Sequence, residues 1–323
     1  MMRLLLVELD RFRSRRLPWL AVLGLLAVVA LAVFSAWQTG RPATGSELAM
    51  MEESHQSALA EWEETSEAQI ADCLDLDWAD TEAECEEMLE PSWENYSWEA
   101  PTFAAKGVAP AADLAYPVLF VALLVGASLV AAEFSTRSIG GWLTFEPRRG
   151  RVYATKVLAP ALGVLLPMAV VVTLAVLGTW AAYTVNDHVG PMTSELWGDL
   201  AGAARRTVLL SAAFAAIGAA LAAVLRSTVA VVGIVVAYVV VVEGMLAGYF
   251  LELRPRLLML NLEAVVQGGT TYGVETCTAG ANGVVCEYVD TTLSLTHGVV
   301  TYAVVLAVLV AVGALVFRRR DVG

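Results

Sequence analysis

The sequence predicts an all-α polytopic membrane protein. Six transmembrane helices follow an N-terminal interfacial helix, with a short cytoplasmic helix on one side and an extracellular, mainly helical cap on the other. Three observations carry this reading. Of 323 residues, 58% are hydrophobic, and they gather into six runs of about twenty, the length a helix needs to cross ~30 Å of hydrocarbon. Residues 38–112 hold eighteen acids against Arg41 and Lys106, a net of −16, so against the chain's −13 the remainder nets +3 and is slightly basic. Fourteen of the twenty basic residues fall in stretches that alternate with the runs as six crossings with both termini in the cytoplasm require. Those stretches are residues 1–16 (Arg3, Arg11, Arg13, Arg15, Arg16), residues 133–156, Arg226, and residues 318–320 (Arg318, Arg319, Arg320). Six basic residues lie on the other side, among them Arg205 and Arg206.

Residues 1–16 place Leu4, Leu5, Leu6 and Val7 beside a basic end, which suits a helix in the inner interface with its arginine stems reaching the headgroups. A secretory signal is the competing reading. The first run, 17–37, is long for one, and Phe34 sits poorly at the −3 position before Ala36. Trp19 and Trp37 bracket this run as interfacial anchors.

The acidic cap, 38–112, is rich in helix formers over 46–90. Leu48, Met51, Leu59, Trp62, Ile70, Leu74 and Trp78 recur at roughly helical spacing, which predicts two helices, with Cys73 near the end of the first and Cys85 in the second. Pro91, Pro101 and Pro110 break the return to the membrane. The cap reads as a partner-docking lid or as a solvated acidic face. No EF-hand loop is present, and His55 and His297 fit no metal-ligand spacing, so no metal is expected.

The second crossing is 114–132. A polar elbow, 133–153, leads to the third crossing, 154–183, where Pro160 and Pro167 predict a kink. An outer turn, 184–204, precedes the alanine-rich fourth crossing, 205–225, whose small residues allow close backbone approach in lipid. The fifth, 229–250, contains Glu243, an acid well inside an apolar run; it reads as a contact in a transport path or as a polar staple at a helix end. Residues 251–297 suggest short outer helices broken at Pro255, then a hairpin turning at Ala279-Gly280-Ala281-Asn282-Gly283. The sixth crossing, 298–317, ends at a tail, 318–323.

All four cysteines fall in the segments placed outside. Three pairings are possible. Cys73–Cys85 and Cys277–Cys286 close the shortest loops, and an exterior compartment lets disulfides persist; free thiols are the alternative. There is no Walker-type phosphate loop, no inward-facing catalytic set, and no basic patch with interleaved aromatics for nucleic acid. The chain is therefore expected to be no enzyme, to hold no cofactor of its own and to bind no nucleic acid. The predominance of arginine over lysine suggests GC-rich coding and so a bacterial cell membrane.

The elbow is the most specific stretch. Glu133, then Ser138-Ile139, Leu143, Pro147, Arg149 and Arg151, then Lys156 resembles the signature of ABC-2 type transporter permeases. In that pattern a glutamate ends the second span, a short coupling helix follows, and a Pro-x-x-Arg stretch leads to a lysine opening the third. Arg137 departs from it, standing where glycine is usual, and the cap is longer than in many members. The match is residue-specific over about twenty-four positions; elsewhere it is one of layout.

The resemblance implies the membrane half of an ATP-driven exporter. It would pair with a second permease, identical or homologous, and with two copies of an ATP-binding subunit that holds ATP and Mg. Glu133, Arg137, Ser138, Leu143, Arg148, Arg149 and Arg151 would couple to that subunit, with Ser138 capping the helix. The arginines would face an acidic partner surface or membrane lipids, or serve only as positive-inside anchors. Spans one, two and five would surround the path, with Phe34, Phe120 and Glu243 along it. Linings of Ala, Val and Leu suit efflux of drugs, peptides or lipids equally. A membrane-anchored sensor or assembly protein using the cap is the rival class. A secondary transporter fits less well, because no internal repeat and only one intramembrane acid are visible.

Overall fold

The computed structural model describes residues 2–76, 78–106, 108–136, 138–280 and 283–319, and six of its helices are long and apolar enough to cross a membrane. Helix α1 (Met2–Ser14) is followed by the first crossing, α2 (Arg16–Thr39). The acidic segment forms α3 (Gly45–Asp75), α4 (Glu82–Leu89) and the short α5 (Trp93–Tyr96), α6 (Phe103–Lys106) and α7 (Ala109–Asp113). Next come α8 (Ala115–Ser135), α9 (Ser138–Phe145), α10 (Arg149–Gly163), α11 (Leu165–Val185) and α12 (Ser194–Leu225). The fifth crossing is composite: α13 (Thr228–Ala237), a π-helical stretch Tyr238–Leu246, and α14 (Ala247–Tyr249). A 3₁₀ turn (Leu251–Arg256), α15 (Leu258–Gln267), an antiparallel hairpin of β1 (Gly269–Gly280) and β2 (Gly283–Ser294), and α16 (Leu295–Arg319) complete the chain.

The bundle is built around α8 and α12. Each is 56% buried over its apolar window, against 6–28% for the other crossings. Small residues make this possible. Gly126 lies against the Ala215 carbonyl and Gly218 against the Leu123 carbonyl, so closely that a Cβ at either position would strike backbone. Lipid gives no hydrophobic drive for helix pairing, so contact area gained by such approach is what holds the pair. Helix α2 packs on α11, where Gly178 accommodates Val33.

Side-chain and backbone bonds separate two ends. At one end lie α1, α9, the start of α10 and the end of α16: Arg11 meets Glu133 at 3.0 Å, and Arg149 Nη1 donates to Arg318 O at 3.3 Å. At the other, Asn186 Nδ2 donates to Trp37 O at 2.8 Å and Phe103 N to His188 O at 3.0 Å. There, too, Arg206 Nε donates to Val266 O at 3.1 Å in the last turn of α15. A cation at a helix C-terminus is favourable, which gives this off-pattern arginine a local reason.

Several boundaries differ from expectation, each for a physical reason. The helix of the elbow occupies only 138–145 of the expected 133–153. The preceding α8 continues to Ser135, while Pro147 disfavours helix at the residue before it. The kink in the third crossing is a break at Val164, where Pro167 cannot donate to Gly163. The outer turn shrinks from 184–204 to 186–193, because Thr193 Oγ1 accepts from Leu196 N at 3.2 Å and starts α12 early. Of the residues at helical spacing in the cap, Leu48 and Trp78 are 49% and 60% exposed, and Trp78 lies beyond α3, which ends at Asp75.

In the cap, Cys73 and Cys85 are disulfide-bonded across α3 and α4, with Cα atoms 6.1 Å apart. Each helix opens with a capping box, Thr44 with Glu47 and Thr81 with Glu84. The Thr44 backbone N–H holds the Glu47 carboxyl below the usual carboxylate value, aided by the Thr44 hydroxyl and Arg41. His55 Nε2 lies 3.0 Å from Pro91 O, and its ring packs on Trp93 and Tyr96, folding the chain back along α3. The hairpin register sets Cys277, itself disulfide-bonded, opposite Cys286. The side chain of Cys286 and the turn residues Ala281 and Asn282 lie outside the described residues.

The α8–α12 contact makes a direct prediction. Replacing Gly126 with Val should lower the thermal midpoint in detergent, as overpacking of a close contact costs about 1–3 kcal/mol. The same change at Gly24, where a Cβ meets nothing within 4 Å, should leave it within error; fluorescence-detected size exclusion after heating reads both.

Candidate functional site

Polar chemistry concentrates where α1, α8, α9 and α10 meet. The amphipathic pattern of α1 turns Glu8, Arg11 and Phe12 toward the bundle, with Arg15 just beyond its end, leaving Met2, Leu6 and Val7 exposed. Phe12, 5% exposed, fills the space at Gly163 of α10. Glu133 is two residues from the end of α8, and Lys156 lies in the second turn of α10. Both are nearly sealed from solvent, at 2% and 4% exposure.

The Lys156 ammonium is the hub. It donates to Glu8 Oε1 at 2.6 Å and to Glu133 Oε1 at 2.6 Å. It is equally close to Glu133 Oε2, 2.6 Å, but only the Oε1 contact has hydrogen-bonding alignment, so Oε2 has no hydrogen-bond partner. Arg11 Nη1 adds a bond to Glu133 Oε1 at 3.0 Å and a longer one to Glu8 Oε1 at 3.4 Å. Two carboxylates and two cations leave the set neutral, the condition under which buried charge is tolerated. Arg15 Nη1 also reaches Leu129 O at 3.3 Å. The indole of Trp142, on α9, completes the site: Lys156 Nζ lies 4.6 Å from its ring centroid and Arg11 Cζ 5.4 Å.

Among its described side chains, helix α9 is attached through one face. Ile139, 1% exposed, enters the core, and Trp142 three residues on covers the cations. Gly141 and Thr144 face outward, and Phe145 is 90% exposed at the tip.

The residues expected at the site divide accordingly. Glu133 is at its centre. Arg137 and the side chain of Leu143 lie outside the described residues. Ser138 opens α9, and its hydroxyl accepts from Thr136 Oγ1 at 3.2 Å. Arg148, Arg149 and Arg151, with Arg318, line an open cleft of about 500 Å³ beside α9 and take no part in the buried set. Glu8, Arg11, Lys156 and Trp142 were not among the expected site residues. The available signal was an acid, Glu8, three residues before Arg11 on the α1 helix.

The expected path residues do not converge. Phe34 is 56% exposed and packs on Trp37, with ring centroids 5.9 Å apart, while Phe120 is 37% exposed on α8. Glu243 Oε1 accepts from Tyr238 Oη at 2.7 Å and from Met259 N at 3.1 Å, and Leu258 N donates to Tyr238 Oη at 3.3 Å. Glu243 and Tyr238 thus satisfy two free donors at the start of α15, the groups every helix N-terminus leaves unpaired. Among the described residues, no ring contact or hydrogen bond joins Phe34, Phe120 and Glu243.

A family model described as ABC-2 family transporter protein matches residues 2–322 of the chain. No curated protein matches at a significant level, and no solved structure does.

The ion set predicts an asymmetric response to substitution. Lys156→Met leaves two buried carboxylates sharing only Arg11. It should destabilise the chain by roughly 3–5 kcal/mol, the cost of breaking a buried pair. Lys106→Met, at an exposed position, should have no measurable effect; thermal unfolding in micelles compares them.

Proposed function

The chain belongs to the ABC-2 transporter family, whose match spans nearly its whole length, and from that premise we propose that it is the permease subunit of an ATP-driven exporter, coupled through α9 to a separate ATP-binding subunit. The carrying observation is the attachment of α9. One face is fixed to a buried, charge-neutral joint, and the other offers Phe145, 90% exposed, at the end that also holds the chain's basic segments. A short helix held this way can receive a push and pass it on as a rigid-body tilt.

In this reading the joint end is cytoplasmic, following the arginine distribution, and the membrane is a bacterial plasma membrane. Two ATP-binding subunits would supply ATP and Mg, and this chain would carry out no hydrolysis. A second permease, identical or homologous, would pack against the open faces of the first and fifth crossings, which are 17% and 6% buried, with lipid covering the rest. Phe34 and Phe120 keep a place along the path between subunits. Glu243 is assigned to positioning α15 instead, because its Oε1 is committed to Tyr238 and Met259. Arg148, Arg149 and Arg151 would face the partner surface or lipid phosphates beside α9.

Phe145→Ala should abolish co-purification with the ATP-binding subunit, or weaken it at least about tenfold, as loss of a large aromatic anchor does at an interface. Its thermal midpoint should not change, because the side chain touches solvent. Equal recovery of the subunit with wild type and variant would contradict docking through α9. Recovery of no ATP-binding subunit with the wild type would contradict the permease reading.

A further inference from the structure

Trp142 is placed as no ordinary interfacial anchor would be. Its neighbours are the heads of two cations drawn from two different helices, Lys156 of α10 and Arg11 of α1. Both cations hold the same carboxylate, Glu133 of α8. We propose that Trp142 is the positioning residue that transmits movement between the coupling helix and the three helices of the ion joint, acting through the faces of those two cations. The inference rests on the permease reading above.

Helix α9 has eight residues, two of them glycine, too short to hold itself in water. Its second buried hold, Ile139, is an aliphatic group in the general core and has no direction of its own. The indole is different. A cation is attracted to the ring face and not to its edge, so the contact sets the rotation of α9 about its axis as well as its distance.

The coupling also works in reverse. Lys156 has three donors; two are used by Glu8 and Glu133, and the open side of the ammonium faces the ring. Moving the indole away would uncover a cation that is 4% exposed, while moving it together with the cations keeps every contact. Displacement of α9 therefore favours joint displacement of α1, the end of α8 and the start of α10.

The test uses the full chain with its ATP-binding subunit in lipid vesicles, comparing Trp142, Trp142→Phe and Trp142→Leu. Phenylalanine keeps a ring face and leucine keeps apolar bulk alone. A spin label at Gly141→Cys reports on α9, since a Cβ there meets nothing within 4 Å and no described cysteine is free to compete for it. The proposal expects leucine to raise label mobility. It also expects leucine to reduce permease-stimulated ATP turnover roughly fivefold or more, the scale of partly desolvated cation–π contacts, while phenylalanine stays within about twofold of wild type. Equal behaviour of Phe and Leu, or an unchanged label in Leu, would overturn it, as would a mobile label with undiminished turnover. If wild type itself gives no stimulation, the permease reading fails, and the label arm still decides whether Trp142 positions α9.

Discussion

One lysine ammonium, enclosed by two carboxylates and an indole, is the constraint on which the end of the bundle where α1, α8, α9 and α10 meet depends. Burying Lys156 is costly unless each of its donors is met, and meeting them requires Glu8, Glu133 and Trp142 to arrive from three separate elements. The arrangement fixes the entry angle of α1, the point where α8 ends and the start of α10. No other set of charges in the described residues joins so many elements. The surface pair of Arg41 and Glu47, by comparison, lies within one loop and cap, where exposed pairs contribute little.

The opposite end is held by different means. There polar groups act as staples for irregular backbone. Glu243 and Tyr238 cap α15, and Asn261 Nδ2 binds the carbonyls of Pro255 and Leu257 just before it. His297 Nδ1 in turn lies 2.9 Å from Asn261 Oδ1, tying the base of α16 to the same helix. An acid within an apolar run invites a reading as cargo contact; here its oxygen is spent on a helix terminus beside a π-helical stretch that its own crossing contains. The two ends thus differ in how they are held, one by a buried charge clamp and the other by polar staples at helix termini.

Much of this was legible in the sequence because membrane burial leaves strong signals. Twenty-residue apolar runs, arginine placement and the proline pair at 160 and 167 each act locally, so the crossings and the broken third helix could be read directly. The disulfide of Cys73 and Cys85 followed from short loop closure. Glu133 was found through its motif. Glu8 and Trp142 were not, because each looks ordinary in its own helix: an acid among basic residues on α1, a tryptophan at a membrane edge on α9. Their significance is tertiary, created only when residues 8, 133, 142 and 156 come together. Glu243 was ambiguous for the same reason, since the backbone donor it satisfies, Met259 N, lies sixteen residues further on.

The central claim is that Lys156 and Glu133 act as one unit. It is tested most directly by a double-mutant cycle of Glu133→Gln and Lys156→Met, read as unfolding free energy in lipid–detergent micelles. The account predicts strong non-additivity: each single change is costly, and the second costs far less once the first is made, with an interaction energy on the order of 1–3 kcal/mol. Additive losses, within about 0.5 kcal/mol, would contradict it.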